Sequence, residues 1–484
     1  MKILSLALGV MVLFSSQAAL PLMAAAPAPW PQFRGPAGSG LAEDEHPPVE
    51  IGPDKNVKWK VSTPGGASSA IVVGDLLVLT AFDGQKLWTI AYRRADGSEA
   101  WRADAPYQKL EAYHPTEGSP AASTPATDGE RIVSYFGSCG LFCYDLSGKQ
   151  LWQHAMPPAA TVADFGTGVS PILVDGLVIL LRDERNAPQI LALDVATGKV
   201  KWERKRESIS GFGTPVIWEN GSNKQIVAPG YGRMIAYDLT TGEEAWSHEG
   251  MPSASCTTPV VGDGLLYFAG WSPGDADEKG GFKMPTFDQL LAGNDADANK
   301  DGVFSKEESA KTPFKDFFDN NDPDKDGLVT RKEWDDMLAF MSRSKNSAFA
   351  LQPAAVGKTG GAQVLWLKTS GLPYVPSAIL YKGRFIMVKD GGIVTGYNAR
   401  TGEEAFQKRA VAPGEYYSSP VAAGGNLYFT SLKEGVVTVV KLDGDELKTV
   451  AKNPPLGERV SATPAIADNT LYLRTAGHLY AFGE

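Results

Sequence analysis

The sequence predicts an all-β protein: a ring of eight four-stranded sheets, closed by strands from both ends of the chain, with one small α-helical insertion. Three observations predict it: a hydroxyl-bearing start motif that recurs eight times, an aromatic residue that recurs after a turn, and one acidic segment that breaks the period. The 484 residues are 43% hydrophobic and 21% charged, with 52 glycines and 33 prolines, which describes a turn-rich globular chain and excludes fibrous or disordered classes.

The starts come first. They read "SSAIV" at Ser69, "STPAT" at Thr124, "SPILV" at Ser170, "TPVIW" at Thr214, "TPVVG" at Thr258, "PSAIL" at Ser377, "SPVAA" at Ser419 and "TPAIA" at Thr463. Their spacing is about 42 to 55 residues, with one step of 119 that marks an insertion. After each start comes a turn and an apolar run such as "VGDLLVL" or "VDGLVILL"; a third run then leads through a turn to an aromatic, as in "ILALDVATGKVKW". Short apolar runs bounded by Gly, Asp and Asn are strands in hairpins. Four per unit makes a propeller blade. The chain ends with "HLYAFGE", a third strand without a fourth, and begins its pattern with "NVKWKV" around Trp59, a fourth strand without the other three. Pairing them predicts an eight-bladed β-propeller with no open ring edge. Two stacked sandwiches explain the period less well and the split unit not at all.

The units "ALDVATGKVKW" and "AYDLTTGEEAW" resemble the tryptophan-docking repeat of the pyrroloquinoline quinone (PQQ)-like β-propellers, and "WPQFRGP" (Trp30 to Pro36) resembles the start of an exported bacterial subgroup of that family. The resemblance implies eight blades, each aromatic packed between neighbours, with Trp101, Trp152, Trp202, Trp246, Trp366 and Phe406 in that position and "VTVVKLDGDELKTV" departing from it. It also brings two functional expectations: a protein- or ligand-binding scaffold, or a PQQ-dependent dehydrogenase acting on an alcohol or sugar. The adjacent cysteine pair typical of the dehydrogenases is missing, and their quinone-binding set does not align.

The insertion lies between "LLYFAGW" and "NSAFALQP", where a second-to-third hairpin turn belongs. From Asp275 to Lys345 it holds 17 acidic and 11 basic residues, a balance of −6 out of the chain's −10. "DANKDGVFSKEE" and "DPDKDGLVTRKE", 25 residues apart, share one grammar. Asp297, Asn299, Asp301 and Glu308 in the first, and Asp322, Asp324, Asp326 and Glu333 in the second, stand at positions 1, 3, 5 and 12 of an EF-hand loop. The carbonyls of Val303 and Leu328, and Ser305 and Thr330 through water, complete an oxygen shell of the kind Ca²⁺ requires. Helices are expected on the flanks, one capped by Thr312 and one carrying Trp334, Met337, Leu338 and Met341 on a face. Two structural Ca²⁺ sites are expected.

The first residues, a Lys2 start and an apolar run from Ile3 to Phe14, predict a secretory signal over 1–26 with no lipid-accepting cysteine, hence a periplasmic or secreted protein. A 27–58 extension, propeller segments 59–271 and 346–484, and the 272–345 insertion follow. Three cysteines support no disulfide framework. The acidic balance excludes a nucleic-acid partner, and no run is long enough for a membrane span; a monomer is expected. Links into the first strands and second-to-third turns share one face of such a ring. Tyr113, His114, Arg182, Asp183, Tyr374, Lys389, Asp390, Tyr416, Tyr417, Arg459 and Arg474 are therefore expected around the mouth of the channel, where an unidentified protein or small molecule would bind. None of the five histidines sits in a nucleophile motif, so no catalytic residue is assigned.

Overall fold

A computed structural model describes residues 29–220, 223–273, 284–293, 296–315, 318, 321–322, 325–342, 344–353 and 362–484. Eight four-stranded sheets form the ring. Blade 1 comprises Ile71–Val73, Leu76–Phe82, Leu87–Arg93 and Glu99–Ala105; blade 2, Ala126–Thr127, Arg131–Phe136, Gly140–Asp145 and Gln150–Ala155. Blade 3 comprises Ile172–Val174, Leu177–Arg182, Gln189–Asp194 and Val200–Lys205; blade 4, Val216–Asn220, Asn223–Pro229, Arg233–Asp238 and Glu244–Glu249. Blade 5 comprises Val260–Gly262, Leu265–Gly270, Ser347–Gln352 and Gln363–Lys368; blade 6, Ile379–Tyr381, Arg384–Lys389, Ile393–Asn398 and Glu404–Arg409. Blade 7 comprises Val421–Ala423, Asn426–Thr430, Val437–Asp443 and Glu446–Lys452. Blade 8 takes Ala465–Ala467, Thr470–Arg474 and His478–Phe482 from the end of the described chain and Val57–Ser62 from its start.

Val57 faces Phe482 and Ser62 faces His478, so the last sheet is stitched from both ends as the sequence predicts. Within each blade the first three strands are buried and the fourth alternates, because only the fourth meets solvent along one flank. A bulge recurs between the third and fourth strands of all eight blades, at the aromatic of the fourth strand in every blade that carries one.

The repeat now has a physical reason. Trp152 donates its indole N–H to the Val195 carbonyl of the next blade at 2.9 Å, and its ring lies against Gly198, where a Cβ would sit 2.6 Å away. Gly198 also adopts φ +69, which a side chain disfavours. Trp59, Trp101, Trp202 and Trp366 repeat the bond with Arg94, Leu146, Leu239 and Ala399, and Gly97, Gly148, Gly242 and Gly402 repeat the seat. The glycine turn between the third and fourth strands of one blade, Asp-x-x-Thr-Gly at Gly198 and Gly242, is thus the socket for the tryptophan of the blade before it. Trp246 departs, donating to Gln225 within its own blade, and Phe406 has no indole to donate.

The insertion leaves the ring between Gly270 and Ser347. Asn346 clasps its base, accepting from the Ser272 amide at 2.7 Å and donating to the Ser272 carbonyl at 3.0 Å. Its described residues carry a core of their own, with Phe287, Leu290, Phe304, Phe314, Phe318, Val329 and Trp334 buried and Met337 and Leu338 packed against them. Trp334, Met337 and Leu338 of helix Arg331–Met341 therefore belong to this small core, and the Met341 side chain lies outside the described residues. Of the expected Thr312 helix, the start is described, with Thr312 Oγ1 accepting the Phe314 amide at 3.1 Å and Phe314 and Phe318 buried, while Phe317 lies outside the described residues.

Candidate functional site

An innermost strand has no neighbour on its channel side, so the N–H at its start has no sheet partner. The recurring Ser/Thr supplies one. Ser69 donates its amide to Thr124 Oγ1, Thr124 to Ser170, Ser170 to Thr214, Thr214 to Thr258, Thr258 to Ser377, Ser377 to Ser419, Ser419 to Thr463 and Thr463 back to Ser69, all at 2.9–3.1 Å. Eight blades are laced by one closed circuit of amide-to-hydroxyl bonds. A hydroxyl that accepts keeps a proton to donate, and all eight hydroxyl residues line a single cavity of about 220 Å³.

Phe33 lines this cavity as well, and Phe165, Phe212, Tyr374 and Tyr417 line it with their rings. Among the described residues lining it, Glu117 is the one carboxylate and there is no Lys, Arg or His. Arg459 Nη2 lies 2.9 Å from Glu117 Oε2, its guanidinium stands 5.3 Å over the Tyr417 ring, and the Tyr417 hydroxyl donates to the same carboxylate. Burial works against the Glu117 charge, but the bonds from Tyr417 and Arg459 outweigh it and hold the carboxyl below the usual range. His114 Nδ1 accepts the Glu117 amide at 3.1 Å, and its ring stacks on Phe165 at 5.5 Å.

The expected mouth residues thus divide. Tyr374 and Tyr417 line the cavity, and Arg459 and His114 stand at its rim. Tyr113 is half-buried, edge-on to Phe82. Lys389 and Asp390 line a separate hollow with Trp271 and Tyr374, and Asp390 accepts the Tyr416 amide at 3.1 Å. The other four do not reach the mouth cavity. Tyr416 is buried with its hydroxyl on the Ala412 carbonyl. Arg182 is buried 3.2 Å from Glu184, and Asp183 is buried in a bidentate pair with Arg206 at 2.7 and 3.2 Å. Arg474 binds the Ser68, Thr80 and Pro64 carbonyls and so ties blade 8 to blade 1. Charged groups placed where two blades meet are held by neighbours more cheaply than by leaving them unpaired. Sequence reasoning missed Glu117, Phe165 and Phe212, although the first two lie in the linkers "EAYHPTEGSP" and "ADFGTGVSP" and the third in the linker that leads to Thr214.

Beneath the mouth, between blades 2 and 3, Glu111 is buried, accepting from the Thr167 amide at 3.1 Å and its hydroxyl at 3.0 Å. Burial pushes its carboxyl up to about 8 despite those bonds.

In the insertion, the two loops share one backbone. Lys300 and Lys325, at position 4, have φ +63 and +61; Gly302 and Gly327, at position 6, have φ +80 and +85. Asp297 accepts from Gly302 and Asp322 from Gly327; Asp301 accepts from Val303 and Asp326 from Leu328. Asn299 accepts the Asp301 amide. Glu308 and Glu333 accept from Ser305 and Thr330, amide and hydroxyl both, as helix-capping carboxylates. Phe304 and Ser305 pair antiparallel with Val329 and Leu328. Asp324 lies outside the described residues, and among those described no three acidic, His or Cys side chains converge as a ligand set.

A family profile described as "Outer membrane protein assembly factor BamB" matches residues 51–161, 89–271 and 349–483. The chain belongs to that family. The BamB-family match skips the insertion and the residues before Ile51. Among solved structures, BamB from Moraxella catarrhalis is 14% identical, with 87% of this chain and 97% of that one covered and a TM-score of 0.52. A europium-containing methanol dehydrogenase is 12% identical over 95% and 98%, TM-score 0.54; a quinohemoprotein alcohol dehydrogenase from Comamonas testosteroni is 13% identical over 95% and 82%, TM-score 0.53. At these identities the likeness shows the propeller fold alone. No curated protein matches the chain.

PQQ, which the family resemblance brings, is a planar tricarboxylate. A lining of hydroxyls, aromatic rings and one carboxylate, with Arg459 already engaged by Glu117, does not fit it.

Proposed function

We propose that this BamB-family propeller is an exported scaffold that holds a protein or small-molecule ligand in the mouth of its channel, with calcium stiffening an EF-hand pair beside that mouth. The observation that carries the reading is an aromatic collar with one arginine, Phe165, Phe212, Tyr374, Tyr417 and Arg459, over a hydroxyl-lined cup whose one carboxylate, Glu117, is paired with that arginine. Tyr and Arg anchored around a desolvated hollow are the residue types that dominate protein interfaces. The insertion leans toward the same mouth: Lys325, in its second loop, donates to Asn186 of blade 3's second-to-third turn at 3.1 Å, and the Lys345 amide bonds to the Met251 carbonyl at 2.9 Å. Paired loops with oxygen side chains at positions 1, 3, 5 and 12 support calcium, and an abundant extracellular ion suits a structural role better than a switch. The Lys2-to-Phe14 pattern supports export, and no helix among the described residues is long and apolar enough to cross a membrane.

The test places a photo-crosslinking residue at Tyr417 and, as a control, at exposed Leu151 on the outer strand of blade 2. Capture of one defined partner from Tyr417, absent from Leu151 and weakened by chelator, is expected. Equal capture at both positions, or saturable binding of PQQ followed by its absorbance, would overturn the scaffold reading.

A further inference from the structure

The residues before the propeller do not run along its surface. Trp30 bridges Val72 of blade 1 in both directions, the Pro31 carbonyl accepts from Thr127 of blade 2, and the turn Pro36–Gly38 packs on strand Val216–Asn220 of blade 4. Arg34 reaches the Ala378 carbonyl at the start of blade 6, and Leu41 and Ala42 pair in parallel with Ala422 and Ala423 of blade 7. All of these partners belong to innermost strands or to the residues that lead into them. Blades 2 and 6 stand opposite each other in a ring of eight, so a segment that touches both crosses the axis. "WPQFRGPAGSGLA" is therefore a plug. It makes the tight crossing by placing Arg34, Gly35, Ala37, Gly38 and Gly40 at positive φ, and it raises Phe33 into the cavity from below.

The plug carries a charge into the interior. Arg34 is 0% exposed. Its Nη2 donates to Ala378 at 2.6 Å and to Ser39 at 3.4 Å, while Nε and Nη1 have no acceptor among the described residues. Of the other buried arginines, Arg206 pairs with Asp183 and Arg182 with Glu184. Among the described residues Arg474 has no carboxylate, but both of its terminal nitrogens donate to carbonyls and only its Nε is left over, whereas Arg34 leaves two nitrogens without an acceptor. Among the described residues no carboxylate offsets Arg34, burial pushes it down to about 9, and the first 28 residues contain neither Asp nor Glu. A buried guanidinium with two free donors is costly unless a counter-charge joins it. It also sits on a strained backbone, φ +61 at a non-glycine residue, which persists where the surroundings fix it for a purpose.

We propose that Arg34 is the core of a small-anion site inside the plugged end of the channel, built for a monovalent ion of halide size, with Nε and Nη1 as its donors. Water would fill the donors but leave the charge uncompensated. The ion locks the plug to the ring, because its ligands come from the N-terminal segment and its field is enclosed by the innermost strands.

The test has two arms on the full chain. Wild-type crystals grown in sodium bromide are expected to show an anomalous peak in contact with Arg34 Nε or Nη1. In solution at ~0.15 M ionic strength, chloride is expected to raise the melting temperature over gluconate, and Arg34→Met to abolish that difference. Water alone at the guanidinium, or equal melting of the wild type in the two salts, overturns the site. A bromide peak without any melting difference marks an adventitious ion only and overturns it too. If Arg34→Met fails to fold, the wild-type arms still decide.

Discussion

The amide of Thr463 donates to the hydroxyl of Ser69, 394 positions earlier, at 2.9 Å. That bond closes the eight-membered circuit of hydroxyls around the channel, and it joins the blade made from both chain ends to blade 1.

Removing one link should cost more than its net worth as a hydrogen bond. Ser377→Ala leaves the buried Thr258 amide without an acceptor, an expected loss of about 1–3 kcal/mol, whereas Ser377→Thr keeps the acceptor and should stay near wild type. Urea denaturation of the two variants checks this; equal losses would mean that the hydroxyl carries no such duty.

Gly198→Ala should lose about 2–4 kcal/mol, from a Cβ driven into the Trp152 ring and from φ +69 in a non-glycine residue. The same change at Gly444, in the irregular seventh blade, meets open space and should lose only the backbone part. Denaturation midpoints of the pair separate socket packing from turn strain.

Glu111 gives the stability a pH dependence of known sign. Its carboxyl is raised to about 8 in the folded chain, so the fold holds a proton that the unfolded chain releases near pH 4.5. The stability it contributes is complete below about 4.5 and is lost as pH rises through 8. Glu111→Gln should flatten that decline, measured as the urea midpoint between pH 5 and 8.5. An unchanged slope would show that the carboxyl titrates normally.

Calcium should order the insertion and leave the ring alone. Chelator is expected to open 286–342 to protease and to shift the fluorescence of buried Trp334, and Glu308→Gln with Glu333→Gln should reproduce both changes at millimolar Ca²⁺. Protection that is indifferent to metal would remove the EF-hand reading.

How much of this was legible in the sequence depends on range. The eight starts and the split blade were readable because strand period and turn chemistry are local; the packing of the aromatics between blades came only from the family resemblance, and Trp246 departs from it. The circuit was not, since nothing in "TPAIA" says that its neighbour in space is Ser69. Arg182 and Asp183 show the same limit: "RDERNAP" puts charges in a turn at the mouth, but which way a side chain points depends on Glu184 and on Arg206, 23 residues beyond Asp183. Glu117 and the plug went unread for the same reason, because "WPQFRGP" has no period of its own and gains its meaning only from the strands it touches.

The stitched last blade has a consequence for biogenesis. A ribosome releases Val57–Ser62 long before His478–Phe482 exists to cover it, so a nascent chain carries an orphan strand through the whole stretch of synthesis between them. Lys58 and Lys60 alternate with Val57, Trp59 and Val61 along that strand. Charges alternating along an unpaired strand are the kind of gatekeeper that discourages it from pairing with its own kind until its partner strand arrives.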